Sequence, residues 1–178
     1  MSTLLIASNT AGSAAVFRQP LIAAARAEGY AVHVLCGEGQ NSPAYVEDME
    51  SRGAIVHLIR GLESDGLSPR TLRIQSRQVG KLIDAINPHI VHSFTHRANV
   101  VSYFALRQRK GIRFIPNVTG AGRLFEDNPS LVTLLKRKAL LALYRAMAAR
   151  CEVIFFQNAT DAEEIGEVMN LPPDRIRL

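Results

Sequence analysis

The chain has 178 residues, of which 47% are hydrophobic and 21% charged, and with a moderate net charge of +5 it is typical of one soluble domain with a well-buried core. Its two cysteines, Cys36 and Cys151, lie far apart and outside any Cys-x-x-Cys pair, which excludes a disulfide scaffold and favours reduced thiols. The sequence contains neither a basic leader nor an apolar run of membrane-spanning length, so we expect a cytoplasmic protein.

Short β-rich runs alternate with longer helical patterns along the whole chain. Strands are predicted near 3–8, 31–35, 54–59, 89–94, 113–118 and 152–157. Helices are predicted near 14–28, 43–52, 70–86, 98–109, 129–149 and 160–169. Helix ends are marked by Gly29 as a C-cap, by Asn87 and Pro88 as a stop, and by Asn128 and Pro129 as a start. The alternation predicts an α/β fold, a doubly wound Rossmann-like parallel sheet with helices on both faces.

The last residues resemble the beginning of another unit. A turn at Leu171–Pro173 is followed by Arg175–Leu178, whose pattern is that of a further strand. We therefore expect the chain to be part of a longer protein.

Polar residues cluster wherever an apolar strand ends. The clusters are Asn9–Ser13, His92–Arg97, Asn117–Arg123 and Gln157–Asn158. In an open parallel sheet these carboxyl ends form the ligand crevice, so the clusters predict a binding site along one edge.

Gly12 and Ser13 are predicted to lie in the turn between the first strand and the first helix. Helix N-terminal N–H groups bind phosphate at such turns, and glycine permits close approach. This turn has one glycine where the dinucleotide fingerprint needs three, which disfavours a nicotinamide cofactor but is compatible with a sugar-nucleotide diphosphate. A glycine that serves only the turn is the alternative.

Three histidines occur close together in sequence, at His89, His92 and His96. The odd spacing of His89 and His92 places them on opposite faces of a strand, so no metal site is predicted. His92 and His96 are interpreted as separate groups near the crevice, able to donate to hydroxyls or phosphates; for His92 a structural role is the alternative.

The fifth predicted strand runs into Asn117, Thr119, Gly120 and Gly122. Its Gly-x-Gly allows the backbone to approach a ligand or a neighbouring loop, and a flexible connection is the alternative.

Basic residues concentrate in the middle of the chain. Between Arg97 and Arg150 eleven bases face only two acids, which predicts an anionic partner. The triplet Lys136, Arg137 and Lys138 indicates contact with an anionic membrane surface or a solvated end of a core helix. Aromatic residues are few and do not interleave with the bases, so no nucleic acid is expected.

Four stretches together resemble the N-terminal half of a family 4 glycosyltransferase with the two-domain GT-B architecture. They are Asn9–Pro20 with Glu28–Leu35, Asn87–Thr95 with Asn99, Val118–Gly122, and Ala149–Asn158 with Asp161 and Glu164. The Thr-Gly-x-Gly loop at residues 119–122 is similar to that of enzymes that build bacterial O-antigen, capsule and lipid-linked glycans. Four residues depart from the family pattern: Phe94, His96, Arg97 and Arg123.

The resemblance implies a retaining enzyme, independent of metal and cofactor, that transfers a sugar from a nucleotide-sugar, commonly a UDP-sugar. Residues 1–178 would then be the acceptor-side domain, the donor-binding C-terminal domain would be absent from this chain, and the chain alone would be inactive. The acceptor implied is a cell-envelope glycan or a polyprenyl-diphosphate-linked one at the inner face of the plasma membrane.

This interpretation makes His92 the candidate catalytic residue. The candidate ligands of donor diphosphate or acceptor are Gly12, Ser13, Thr95, His96, Arg97, Asn117, Thr119, Gly120 and Gly122. Two alternatives stay open: a stand-alone α/β binding module for a small phosphorylated ligand, without catalysis, and half of a GT-B epimerase.

Overall fold

The computed structural model describes residues 2–64, 68–120 and 130–178. The strands are β1 (Thr3–Ala7), β2 (Ala31–Cys36), β3 (Ile55–Leu58), β4 (Ile90–Phe94), β5 (Arg113–Val118), β6 (Ile154–Phe156) and β7 (Ile176–Arg177). The helices are α1 (Ala11–Phe17), α2 (Gln19–Ala27), α3 (Ser42–Ser51), α4 (Pro69–Ile86), α5 (His96–Leu106), α6 (Leu131–Ala148) and α7 (Ala159–Met169).

The described strands form one parallel sheet in the order β3-β2-β1-β4-β5-β6-β7. The chain starts at the centre, winds outward to β3, and then crosses back to add β4 through β7 on the other side. The predicted doubly wound α/β fold is therefore confirmed, and so is a further strand, β7, near the end of the chain.

Side chains that alternate along β1 pack into two separate hydrophobic cores, one on each face of the sheet. Leu5 packs with Val91 and Phe114 beneath α4 to α7, whereas Ile6 packs with Val34 and Ile22 beneath α1 to α3. Both faces of β1 are covered, so its residues form a continuous apolar run.

The predicted first helix is wrong in one respect, because it is two helices. α1 ends at Phe17 and α2 begins at Gln19, with Arg18 between them at φ −110° and ψ 2°. Pro20 explains the break, since its ring has no N–H to donate and clashes with the preceding turn. The consequence is that Arg18 lies at a helix junction rather than on a regular helix face.

Two further helix boundaries differ from the prediction. α5 begins at His96, two residues earlier than predicted, so His96 and Arg97 lie in its first turn. α6 begins at Leu131, where the side chain of Ser130 accepts a hydrogen bond from the N–H of Thr133. The predicted cap, Asn128 with Pro129, lies outside the described residues. Across the described part of the chain, no helix combines the length and hydrophobicity needed to cross a membrane.

Candidate functional site

The point where the strand order reverses lies between β1 and β4. These strands are neighbours in the sheet, yet α1 follows β1 onto one face and α5 follows β4 onto the other. Such a switch point leaves an open crevice at the carboxyl ends of the two strands. The segment Ser8–Thr10 and the residue Thr95 border this crevice.

Buried polar atoms without partners collect at this edge of the sheet. Asn9 Oδ1, Thr95 Oγ1 and Asn117 Oδ1 are buried and form no hydrogen bond among the described residues. They follow or end β1, β4 and β5, which are adjacent in the sheet. Because an unsatisfied buried oxygen costs free energy, this group is suited to a ligand that donates hydrogen bonds.

Thr95 adopts a backbone conformation that threonine rarely takes, with φ 78° and ψ 155°. Two backbone hydrogen bonds hold it there: its N–H donates to Asn117 O at 3.2 Å, and Asn99 N–H donates to its carbonyl at 2.9 Å. Strain of this kind costs about 1–3 kcal/mol and concentrates at functional sites. The conformation therefore makes the end of β4 a candidate functional position.

His96, the first residue of α5, is held by a buried hydrogen-bond network. Its Nδ1 lies 2.8 Å from the hydroxyl of Tyr144, which also accepts from Asn99 Nδ2 at 3.0 Å. Ser93 donates to Asn99 Oδ1 at 2.6 Å, which fixes the orientation of that amide. The tyrosine hydroxyl can then donate to Nδ1, and in that arrangement the ring proton of His96 is on Nε2.

His92 lies in the middle of β4, not at its end. Its ring is tilted against the rings of Phe94 and Phe155, with centroid distances of 4.3 Å and 5.8 Å. Its Nε2 is buried and has no hydrogen-bond partner in the described part of the chain. Burial, with a smaller effect of the positive charge of Arg18, lowers the pKa of His92 to about 4. The imidazole is therefore neutral near pH 7.

Arg18, at the junction of α1 and α2, is a site residue that sequence reasoning missed. Its guanidinium carbon lies 3.9 Å from the centre of the Phe94 ring, and its Nε is buried without a hydrogen-bond partner among the described residues. Burial lowers the pKa of Arg18, and no described acidic side chain forms an ion pair with it. A half-buried cation of this kind suits an anionic ligand. The sequence signal that could have identified Arg18 was a basic residue next to Gln19 and Pro20, where the predicted helix breaks.

The turn residues of the first unit lie elsewhere than predicted. Gly12 is the second residue of α1, and a Cβ on it would lie 3.1 Å from the ring of Tyr45. The N–H of Ser13 donates to Thr10 Oγ1 at 3.0 Å, and its hydroxyl lies 3.4 Å from that of Ser8. The absence of a side chain at position 12 thus accommodates Tyr45.

The other candidate residues divide into three groups. Arg97 is only 5% exposed and donates to Gln75 Oε1 at 2.9 Å, so it lies inside the domain. Thr119 and Gly120 follow β5 at the crevice edge, and Gly120 has φ 137°, where an added Cβ would meet no described atom within 4 Å. Gly122 lies outside the described residues. His89 lies at the opposite end of β4, where its Nδ1 accepts from Thr3 N–H at 3.1 Å.

Comparison with known proteins supplies a family. The family model described as a glycosyl transferase 4-like domain matches residues 12–178. No curated protein sequence matches the chain significantly.

Solved structures share the fold at low sequence identity. A glycosyltransferase from Rickettsia africae has a TM-score of 0.66 at 13% identity, with 98% of this chain and 42% of that one covered. A putative UDP-N-acetylglucosamine 2-epimerase from Listeria monocytogenes has a TM-score of 0.62 at 14% identity, covering 99% and 44%. For sucrose-phosphate synthase from Thermosynechococcus elongatus the values are 0.63 and 12%, covering 94% and 45%. The chain thus spans less than half the length of these proteins.

Proposed function

Because the chain belongs to the glycosyl transferase 4-like family, we propose that it is the N-terminal, acceptor-side half of a retaining glycosyltransferase. The donor is a nucleotide-sugar, a UDP-sugar in the first instance, and the acceptor is a cell-envelope glycan or a polyprenyl-diphosphate-linked one. The donor-binding half is the part of the two-domain architecture that this chain does not contain.

The observation that carries the proposal is the group of unpartnered oxygens at the switch point. Asn9 Oδ1, Thr95 Oγ1 and Asn117 Oδ1 can accept hydrogen bonds. Sugar hydroxyls are donors that several such oxygens can bind together, and the neutral ligand adds no charge to the buried site. A glycan acceptor therefore fits this edge better than a purely anionic ligand does.

Arg18 and His96 complete the proposed arrangement. Arg18 offers a half-buried cation for the diphosphate of the donor or of a lipid-linked acceptor, and it stabilises negative charge that develops as the nucleotide leaves. His96, oriented by Tyr144, orders the acceptor side of the crevice. The acceptor hydroxyl is thus held in place before reaction, which lowers the entropic part of the barrier.

His92 retains its proposed catalytic role as a neutral hydrogen-bonding group. With its pKa lowered to about 4, it does not act as a charged acid at neutral pH. Its unpartnered Nε2 can instead bind a sugar hydroxyl or the leaving oxygen. Interactions made only as charge develops raise the rate of the chemical step itself.

The test compares histidine variants in the full-length enzyme, with transfer from a UDP-sugar as the readout. We expect His92→Ala to lower kcat and kcat/KM together, and His96→Ala to raise KM for the acceptor. Melting temperature is measured for both, so that loss of folded protein is separated from loss of activity. Wild-type kinetics in both variants would refute these roles. Tight binding of UDP without any turnover in the full-length protein would favour a non-catalytic binding module instead.

A further inference from the structure

A groove of about 1250 Å³ lies on the face of the sheet opposite to α1, α2 and α3. Its rim and floor are formed by α4, α6 and the last part of α5 with the residues that follow it. We call it the α4–α6 groove. It shares no lining residue with the crevice at the switch point, so it is a separate feature of the molecule.

The floor of the α4–α6 groove is apolar. Leu72, Phe104, Leu140 and Leu143 line it. Ser76 also lines it, is 8% exposed, and has a buried Oγ without a hydrogen-bond partner among the described residues. The groove therefore combines a surface for a hydrocarbon chain with a polar atom left for an additional ligand.

The rim of the α4–α6 groove is cationic. Its basic lining residues are Arg73, Arg77, Lys81, Arg107, Arg109 and Lys136, and none of the acidic residues that the structure describes lines it. Arg109 pairs with Asp84 at 2.6 Å, and the other five form no ion pair within the described ranges. Charge complementarity thus calls for an anionic occupant.

The apolar wall continues out of the groove along α6. Val132 and Leu135 lie one helical turn before Lys136 and Ala139, on the same side of the helix. They are 59% and 68% exposed, which is unusual for two large apolar side chains on one stripe. An occupant that stayed within a water-filled groove would leave this stripe in water, whereas a bilayer would cover it.

The basic segment between Arg97 and Arg150 supplies only half of this charge, through Arg107, Arg109 and Lys136. In the folded chain Arg113 pairs with Glu152 at 2.6 Å, and Arg137 with Glu164 at 3.4 Å. Arg150 donates to the carbonyls of Arg109 and Ile112 at 2.9 Å. The α4–α6 groove instead takes half its bases from α4, which the count between Arg97 and Arg150 does not include.

We propose that the α4–α6 groove binds an anionic phospholipid of a bilayer surface. The phosphate lies at the arginines of the rim, the acyl chain follows the apolar floor, and Val132 and Leu135 enter the boundary between headgroups and chains. The ligand is neither donor nor acceptor of the glycosyl transfer proposed above. The inference therefore goes beyond that function and does not depend on it.

The test measures binding of the 178-residue chain to vesicles of phosphatidylglycerol in phosphatidylcholine, by co-sedimentation, with pure phosphatidylcholine vesicles for comparison. The groove variant is Arg73→Gln with Arg77→Gln and Lys81→Gln. The matched control is Lys110→Gln with Lys138→Gln and Arg145→Gln. Both remove three exposed bases and lower the net charge equally, but the control residues do not line the groove.

The groove variant is expected to lose at least about tenfold in vesicle affinity, since each base near an anionic surface contributes on the order of 1 kcal/mol. The control variant is expected to lose clearly less. Leu135→Ser, at an exposed position outside the core, is expected to weaken the binding that persists at high salt, because that part is apolar. This second variant keeps the test valid if the triple variant fails to fold.

Equal losses in the two triple variants would overturn the proposal, since binding would then depend on net charge alone. Wild-type binding by Leu135→Ser at high salt would contradict the apolar contact. No binding to phosphatidylglycerol vesicles at low salt would also overturn it. None of these outcomes bears on sugar transfer, because the assay contains no donor.

Discussion

The hydroxyl of Tyr144 lies 2.8 Å from Nδ1 of His96, although 48 residues separate them in sequence. Tyr144 is fully buried in α6, and His96 begins α5 at the crevice, so a core residue sets the orientation of a site residue. Burial raises the pKa of Tyr144, and its hydroxyl therefore stays protonated and available as a donor.

Tyr144→Phe removes this hydroxyl and its hydrogen-bond contact with Nδ1 of His96. We expect a loss of about 1–2 kcal/mol of unfolding free energy and a changed ¹⁵N shift of the His96 ring nitrogens. Denaturant unfolding and NMR measure the two effects. Tyr103→Phe is the control, since Tyr103 is also buried but forms no hydrogen bond to His96. An unchanged His96 spectrum in Tyr144→Phe would contradict the assignment.

The buried imidazole of His92 makes stability depend on pH. Its folded pKa is about 4 and its ordinary value 6.5, so the unfolded chain binds the proton more readily between these values. The stabilisation is complete above pH 6.5 and decreases as the pH falls toward 4, by on the order of 3 kcal/mol in total. His92→Gln should flatten this part of the stability profile.

Two other histidines also contribute to the pH dependence of stability. His33 and His57, whose rings lie 2.9 Å apart at Nδ1 and Nε2, also have lowered pKa values because of burial, and they contribute in the same direction. The difference between wild type and His92→Gln isolates the contribution of His92. A profile equally steep in His92→Gln and wild type would be inconsistent with a neutral His92 ring in the folded chain.

Arg18→Met should leave the unliganded domain as stable as before or stabilise it slightly. The substitution removes a desolvated charge that has no acidic partner among the described residues, and Met can still pack on Phe94. Made in the full-length enzyme, the same substitution should weaken binding of UDP or inorganic diphosphate by at least about tenfold, the order expected for one lost charge-assisted hydrogen bond. Calorimetry measures the affinity, with Arg26→Met on the exposed side of α2 as the control. Undiminished diphosphate binding would remove Arg18 from the site.

Gly12→Val should destabilise the domain by about 1–3 kcal/mol, because its Cβ would meet the Tyr45 ring at 3.1 Å. Tyr45→Ala should relieve this loss, so that the two substitutions are strongly non-additive in denaturant unfolding. A full loss that persists in the double variant would show that Tyr45 is not the obstacle.

Gly120→Ala and Gly29→Ala separate backbone strain from a role in the crevice. Both glycines have positive φ, 137° and 79°, and a Cβ added to either would meet no described atom within 4 Å, so each substitution should cost about 1 kcal/mol. Only Gly120→Ala should also weaken acceptor use by the full-length enzyme, because Gly29 lies at the far end of α2. Equal kinetics in the two variants would argue against Gly120 as part of the site.

Local sequence patterns were enough to predict most of the elements and the fold class. Apolar periodicity is a local property, so β1, α4 and β5 were predictable within a residue or two, and the alternation of types implied a parallel sheet. Pro20 could have indicated the break between α1 and α2. The helical pattern of apolar residues continues on both sides of it, so a single helix was predicted. Clusters such as Asn9–Thr10 and Thr95 also marked the crevice, since strand ends can be read from local pattern.

Which side chains contact one another could be seen only in the tertiary structure. The adjacency of β1 and β4, the contact of Arg18 with Phe94, and the bond from Tyr144 to His96 join residues that no short-range pattern connects. The structure also changes the interpretation of the basic segment between Arg97 and Arg150. Acidic residues distant in sequence pair with several of its arginines, and α4 supplies half the bases of the groove. Secondary structure follows from interactions between near neighbours in the chain, whereas sites and surfaces depend on how those elements pack.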